Sequence, residues 1–165
     1  MRKIIFLDID GVLNSDEYLE ALPPVSTELD DIDESKVQLL KEIVERTGAQ
    51  IVLSSSWRKM THNNDNIEIG NKVYKYLIDT LNKYDLSIIS ETPILNHCRP
   101  KEIIAWIDEN IGYDRIMFVS LDDDYSEERY KEYGIEDCLI KTSFYGKNGG
   151  LQREHVEQAV RILNG

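Results

Sequence analysis

Short apolar runs alternate along the chain with stretches in which apolar residues recur every three or four positions. Lys3 to Asp8 reads as a first strand, because Ile4 to Leu7 is continuously apolar, as a strand buried on both faces requires. Residues 12–33 are polar and acidic, and Pro23-Pro24 breaks any long helix, so a loop or flap with one short helix is expected there. Asp33 is placed to cap a helix that carries Val37, Leu40, Ile43 and Val44 on one face and stops at Gly48. Gln50 to Leu53 is a second strand, and a polar loop from Lys59 to Ile69 leads to a helix with Val73, Leu77, Ile78 and Leu81 on its inner side. Leu86 to Ile89 is expected as the third strand. Pro100 suits the first turn of a helix through Ile103, Ile104 and Ile107, and Arg115 to Leu121 makes a fourth strand. A short helix from Ser126 to Tyr133, a fifth strand at Cys138 to Ile140, a Gly-rich loop and a helix through Val156, Ala159, Val160 and Leu163 complete the pattern.

Strands that alternate with helices in this way predict a parallel sheet covered on both faces. The expected class is α/β: a Rossmann-like three-layer α/β/α sandwich with a mainly parallel five-stranded sheet. No repeat, low-complexity tract or linker interrupts the alternation, so residues 1–165 are expected to form one domain. A domain of that size buries roughly 70% of its unfolded surface and needs no disulfide or structural metal.

Composition narrows the setting. No apolar run is long enough to span a bilayer, and the N-terminal apolar stretch is too short, and too acidic at its end, for a signal peptide. A cytoplasmic protein without a membrane partner is expected. Cys98 and Cys138 have no Cys-x-x-Cys or Cys/His spacing, which argues against zinc and against a secreted disulfide scaffold. The formal charge of -12 opposes an extended nucleic-acid groove. It leaves room for a small basic pocket, because charges more than about 8 Å apart are largely screened at physiological salt.

The chemistry lies at the strand ends. In an open parallel sheet, ligands bind outside the carboxyl ends of the strands, and there the first strand delivers Asp8 and Asp10, with Gly11 permitting a sharp exit. The second strand ends at Ser54 and Ser55, and the fourth at Asp122, Asp123 and Asp124. Arg99 and Lys101 open the helix before the fourth strand. Two carboxylates about 4 Å apart repel by about 4 kcal/mol at an effective dielectric of 20, so a site that gathers several calls for a cation or for protonation. Oxygen-only ligands select a hard ion, Mg²⁺ rather than zinc.

This constellation resembles the haloacid dehalogenase-like (HAD) superfamily, whose four motifs occur in this order at these strand ends. Asp8-Ile9-Asp10-Gly11-Val12 fits the first motif, Ile51-Val52-Leu53-Ser54 the second, Arg99-Pro100 the third, and the run from Met117 to Asp123 the fourth. The resemblance implies that Asp8 is a nucleophile forming an aspartyl phosphate and that Asp10 protonates the leaving oxygen and then activates water. It implies phosphate contacts from Ser54 and a cation at Arg99, with Lys101 as the alternative and Ser55 standing where the family often has Asn. Mg²⁺ would be held by Asp8, the Asp10 backbone carbonyl and Asp122, with Asp123 in support or as the main acidic ligand.

The segments Asp-Gly-Val-Leu-Asn, Ser-Ser-Ser-Trp-Arg, Leu-Asp-Asp-Asp and a late Gly-Leu are similar to small HAD domains of predicted RNA-repair proteins. Residues 12–33 are too few for a folded cap. The resemblance thus implies a HAD-like core without a large cap, open at its site, and a phosphomonoester hydrolase acting on a phosphorylated small molecule or a phosphorylated nucleic-acid end. A phosphotransferase on the same scaffold and a non-enzymatic, receiver-like phosphate-binding module are the alternatives. Against the second, no aspartate ends the third strand, where a receiver carries its phosphorylated residue. Trp57 is expected to pack, and Arg58 either to reach a phosphate or to form an ion pair. The Gly-rich loop from Lys141 to Leu151 reads as a connection, and His62, His97 and His155 receive no role.

Overall fold

The computed structural model describes residues 1–24, 29–58, 67–110 and 115–165, and of 67–70 the backbone alone. Five strands, β1 (Arg2–Leu7), β2 (Gln50–Leu53), β3 (Ile88–Glu91), β4 (Ile116–Asp122) and β5 (Leu139–Lys141), form one sheet in the order β3-β2-β1-β4-β5. Every neighbouring pair is parallel. The helices are α1 (Asp16–Ala21), α2 (Glu34–Thr47), α3 (Ile67–Asn82), α4 (Arg99–Asn110), α5 (Glu127–Lys131) and α6 (Arg153–Asn164). None among the described residues is long and apolar enough to cross a membrane.

The central position of β1 follows from its composition. Successive side chains of a strand point to opposite faces, and here both faces are apolar. Ile5 and Leu7 enter a core with Val37, Leu40 and Ile43 of α2, Leu77 and Leu81 of α3, and Val156, Ala159 and Leu163 of α6. Ile4 and Phe6 join Val52, Ile103 and Trp106 of α4, and Tyr130 of α5, on the other side. Phe6 meets the rings of Trp106 and Phe118 edge-on, with centroids 5.5 and 5.6 Å away. Three layers result, as the sequence pattern predicts.

Local signals set most of the element ends. The Asp33 carboxylate accepts from the Ser35 N–H at 2.9 Å and caps α2, and Gly48 at φ 70° ends it. The third strand is the largest departure from expectation: it spans Ile88–Glu91, two residues later than Leu86 to Ile89. Leu86 instead closes the end of α3, its N–H donating to the Leu81 carbonyl at 3.1 Å while Asp85 takes φ 59°. Its apolar side chain is buried in the core from this turn rather than from a strand. β1 ends one residue before Asp8. β4 runs one residue beyond Leu121 and includes Asp122, and β5 starts after a 3₁₀ turn at Glu136–Cys138. Of the loop expected over Lys59 to Ile69, residues 59–66 lie outside the described residues, and Ile67 already begins α3.

No cap fold stands over the strand ends among the described residues. Between β1 and α2 the described part holds the six-residue α1, and the connection from β3 to α4 is irregular.

Candidate active site

The carboxyl ends of β1, β2 and β4 meet at a cavity of about 500 Å³, which Asp8, Asp10, Arg99 and Asp123 line among the sequence-predicted residues. Asp8 leaves β1 buried. One of its oxygens accepts from the Ile9 N–H at 2.8 Å, the other from Arg99 Nη2 at 3.2 Å, and the Ser55 hydroxyl also hydrogen-bonds it. Asp122, the last residue of β4, is fully buried and accepts from Arg99 Nε at 2.9 Å and from the Asp124 N–H at 2.9 Å. Arg99 is the hub, because its Nη1 also donates to Ser54 Oγ at 3.2 Å and stands 3.7 Å from Glu102. One planar guanidinium thus meets residues from three strand ends, a task its fixed fork of donors suits. Lys101 is exposed on α4 and does not line the cavity. Of the two cations that open α4, Arg99 is the one whose side chain enters this site.

Asp8, Asp122 and Asp123 each offer a carboxylate oxygen within 4.8 Å of the others. Burial pushes the Asp8 carboxyl up to about 7, the Asp122 charge adding to this while Arg99 opposes it. Asp123 is pushed up to about 6 by burial and by the charges of Asp122 and Asp124, against Lys141. The donor set is all oxygen and carries more negative charge than Arg99 balances, which fits a hard divalent cation. Asp10 contributes no side-chain oxygen to this cluster. Its carboxylate is held by Asn14 Nδ2 at 3.0 Å and by the Trp57 indole N–H at 2.9 Å, and it lines the cavity.

Gly11 makes this packing possible. It sits at φ 70°, and a Cβ there would overlap the Asp123 carboxylate. The Thr142 hydroxyl donates to its carbonyl at 2.6 Å and ties the loop after β5 to the turn after β1.

Several residues beyond the motif positions shape the site. Trp57 packs against the core as expected, yet its indole also fixes Asp10. Arg58 is 2% exposed, pairs with Glu102 at 2.9 Å, donates to the Thr92 and Pro93 carbonyls and also lines the cavity. The carboxylate of Glu102 also accepts from the Leu95 N–H at 2.9 Å, binding the β3–α4 loop to the site. His97 lines the cavity, His155 caps α6, and His62 lies outside the described residues. The loop after β5, read from sequence as a connection, places Phe144 and Tyr145 on the cavity wall. Two adjacent aromatics in a polar, Gly-rich loop at a strand's carboxyl end were the available signal.

A parallel α/β sheet whose strand ends assemble an acidic cluster, paired hydroxyls and a bridging arginine defines a HAD-type domain. The chain belongs to the family described as the HAD domain in Swiss Army Knife RNA repair proteins, which it matches over residues 4–156. HAD domains are generally hydrolases of the phosphatase type. No curated protein and no solved structure matches the chain.

Proposed function

We propose that this protein is a Mg²⁺-dependent phosphomonoesterase that acts through an aspartyl phosphate on Asp8, with a phosphorylated nucleic-acid end as its substrate. The observation that carries the reading is the convergence of Asp8, Asp122 and Asp123 with Arg99 at the strand ends. Mg²⁺ held by these three carboxylates would neutralise charge on the phosphoryl group.

The remaining chemistry belongs to the chain. A carboxylate oxygen of Asp8 attacks phosphorus as the ester P–O bond breaks, and Asp10 gives its proton to the leaving oxygen. Asp10 then takes a proton from water, whose oxygen displaces Asp8 and releases inorganic phosphate, so each residue returns to its starting state. Arg99 faces the phosphoryl oxygens while it holds Asp8 in line, and Ser54 and Ser55 offer hydroxyls beside it. The nucleic-acid end is supported by the family to which the chain belongs.

Hydrolysis of a terminally phosphorylated oligonucleotide should appear with Mg²⁺ and vanish with a chelator. Turnover confined to sugar phosphates would overturn the substrate, and equal rates in chelator would overturn the metal.

Trp57→Phe keeps the ring but removes the N–H that orients Asp10. A hydrogen bond to a carboxylate, the form Asp10 takes once it has given up its proton, is worth about 1.5–3 kcal/mol, so kcat should fall by roughly tenfold or more while KM stays near wild type. A rise in KM with kcat intact would place Trp57 in binding instead.

The raised pKa values of Asp8 and Asp123 fix how stability depends on pH in metal-free protein. Both groups bind a proton more tightly folded than unfolded, where a carboxyl of this type titrates at 3.8. Their contribution is therefore fully present below about pH 4 and is lost as pH rises to about 7. In chelator, the urea midpoint contributed by these groups should fall from pH 5 to pH 7.5, and Mg²⁺ should restore it at the higher pH. Asp8→Asn should flatten this slope; an unchanged slope would show that the Asp8 charge is not the source.

A further inference from the structure

Most aromatic surface around the cavity is already engaged. The ring of Tyr125 lies under the Arg99 guanidinium at 5.8 Å, and its hydroxyl donates to the His97 carbonyl. Tyr145 differs: it lines the same cavity yet is 75% exposed, more than any other large apolar side chain among the described residues. Phe144 supports it edge-on, with centroids 5.1 Å apart and planes at 88°.

The loop that carries this pair is built to hold it. The Asp16 N–H donates to the Phe144 carbonyl at 2.9 Å, and the Gly146 N–H returns to the Asp16 carboxylate at 3.1 Å. Within the loop, the Gly150 N–H reaches the Ser143 carbonyl at 2.8 Å, and the Leu151 N–H reaches Val12 at 2.8 Å. Gly149 packs so closely on Ser15 that a Cβ would overlap it. An exposed tyrosine on a fastened loop is preorganised, and an aromatic ring loses little side-chain freedom on binding.

We propose that Tyr145, backed by Phe144, is a stacking platform for the nucleobase next to the phosphate that is removed. This rests on the phosphomonoesterase reading and adds to it the feature that selects a nucleotide end over other phosphates. Charge supports the assignment. With a formal charge of -12 the protein cannot hold a polyanion by many ionic contacts, whereas base–aromatic stacking is indifferent to net charge and tolerant of sequence. Tyr145 is exposed while Asp8 and Arg99, which line the same cavity, are buried, which matches a ligand with a planar ring at its outer end and a phosphoryl group at its inner end.

The test compares two short oligonucleotides with the same terminal phosphate, one normal and one whose terminal residue lacks its base, on wild type, Tyr145→Ala and Tyr145→Trp. Wild type should favour the base-bearing end. Tyr145→Ala should lose about tenfold in kcat/KM on that end, through KM, and change the abasic end by less than twofold, while Tyr145→Trp should restore the preference. An equal loss on both ends, or no loss on either, overturns the platform. If wild type hydrolyses neither oligonucleotide, the phosphatase reading has failed separately, and calorimetric binding of the same two probes decides the platform. A preference for the base-bearing end that Tyr145→Ala removes sustains it, and equal affinities overturn it. Because the side chain is largely exposed, both variants should keep the wild-type urea midpoint.

Discussion

Asp8→Asn is expected to abolish turnover, by at least about 10³-fold, without loss of stability. The two halves have different causes. An amide is a poor nucleophile, so the covalent step has no substitute, and loss of such a group typically costs many orders of magnitude. The Asp8 charge, by contrast, is costly to the folded protein: burial and Asp122 push its carboxyl up to about 7 even with Arg99 beside it. An uncharged isostere removes that cost, and Arg99 keeps its bond to Asp122 at 2.9 Å. At pH 7.5 in chelator the variant should unfold at an equal or higher urea concentration than wild type. It should also gain less from Mg²⁺, since one of three clustered carboxylates is gone. Wild-type turnover in this variant would remove Asp8 from the chemistry. A lower midpoint would instead mean that the carboxylate stabilises the fold, contrary to its raised pKa.

The parts of this site legible in the sequence share one property: each is written locally. Asp8 and Asp10 stand out because four apolar residues stop at them, and Asp122 because Met117 to Leu121 runs into it. Periodicity then aligns the strands in parallel, and the strand ends follow. Strand β3 departs from expectation for the same reason, since local apolar character cannot tell a Leu86 buried from a turn from a Leu86 buried in a strand. Contacts that exist only in space left little trace. Nothing near Trp57 indicates that its indole reaches a carboxylate 47 positions earlier, and nothing near Glu102 shows that it pairs with Arg58. Glu102 does interrupt the inward face of α4, where Ile103 and Trp106 are buried, and a buried acid on an apolar face needs a cationic partner. The choice between Arg99 and Lys101 likewise rests on helix phase, which turns the first inward and the second to solvent.

Arg99→Ala should be the most destabilising substitution at the site. Its guanidinium bonds Asp122, Asp8 and Ser54 at 2.9, 3.2 and 3.2 Å, with Glu102 at 3.7 Å, and none of the three acids has more than 9% of its side chain exposed. Removing one partner of a buried ion pair leaves its acid desolvated and unpaired, at a cost of about 3–5 kcal/mol. Against a typical total of about 5–15 kcal/mol that loss threatens the fold itself. The sign of the pH response is fixed as well. Without Arg99 the Asp8 carboxyl loses the charge that opposes its upward shift and prefers its protonated form, so the variant should regain stability as pH falls toward 5. Mg²⁺ at pH 7.5 should recover part of the loss, since a cation in the carboxylate cluster replaces some of the missing positive charge. Arg99→Lys should fall between, because a single ammonium cannot reach Asp8, Asp122 and Ser54 together. Urea titrations of both variants at pH 5 and 7.5, with chelator and with Mg²⁺, measure all of this. An Arg99→Ala protein as stable as wild type at pH 7.5 in chelator would mean that the guanidinium is not what allows the three acids to be buried together.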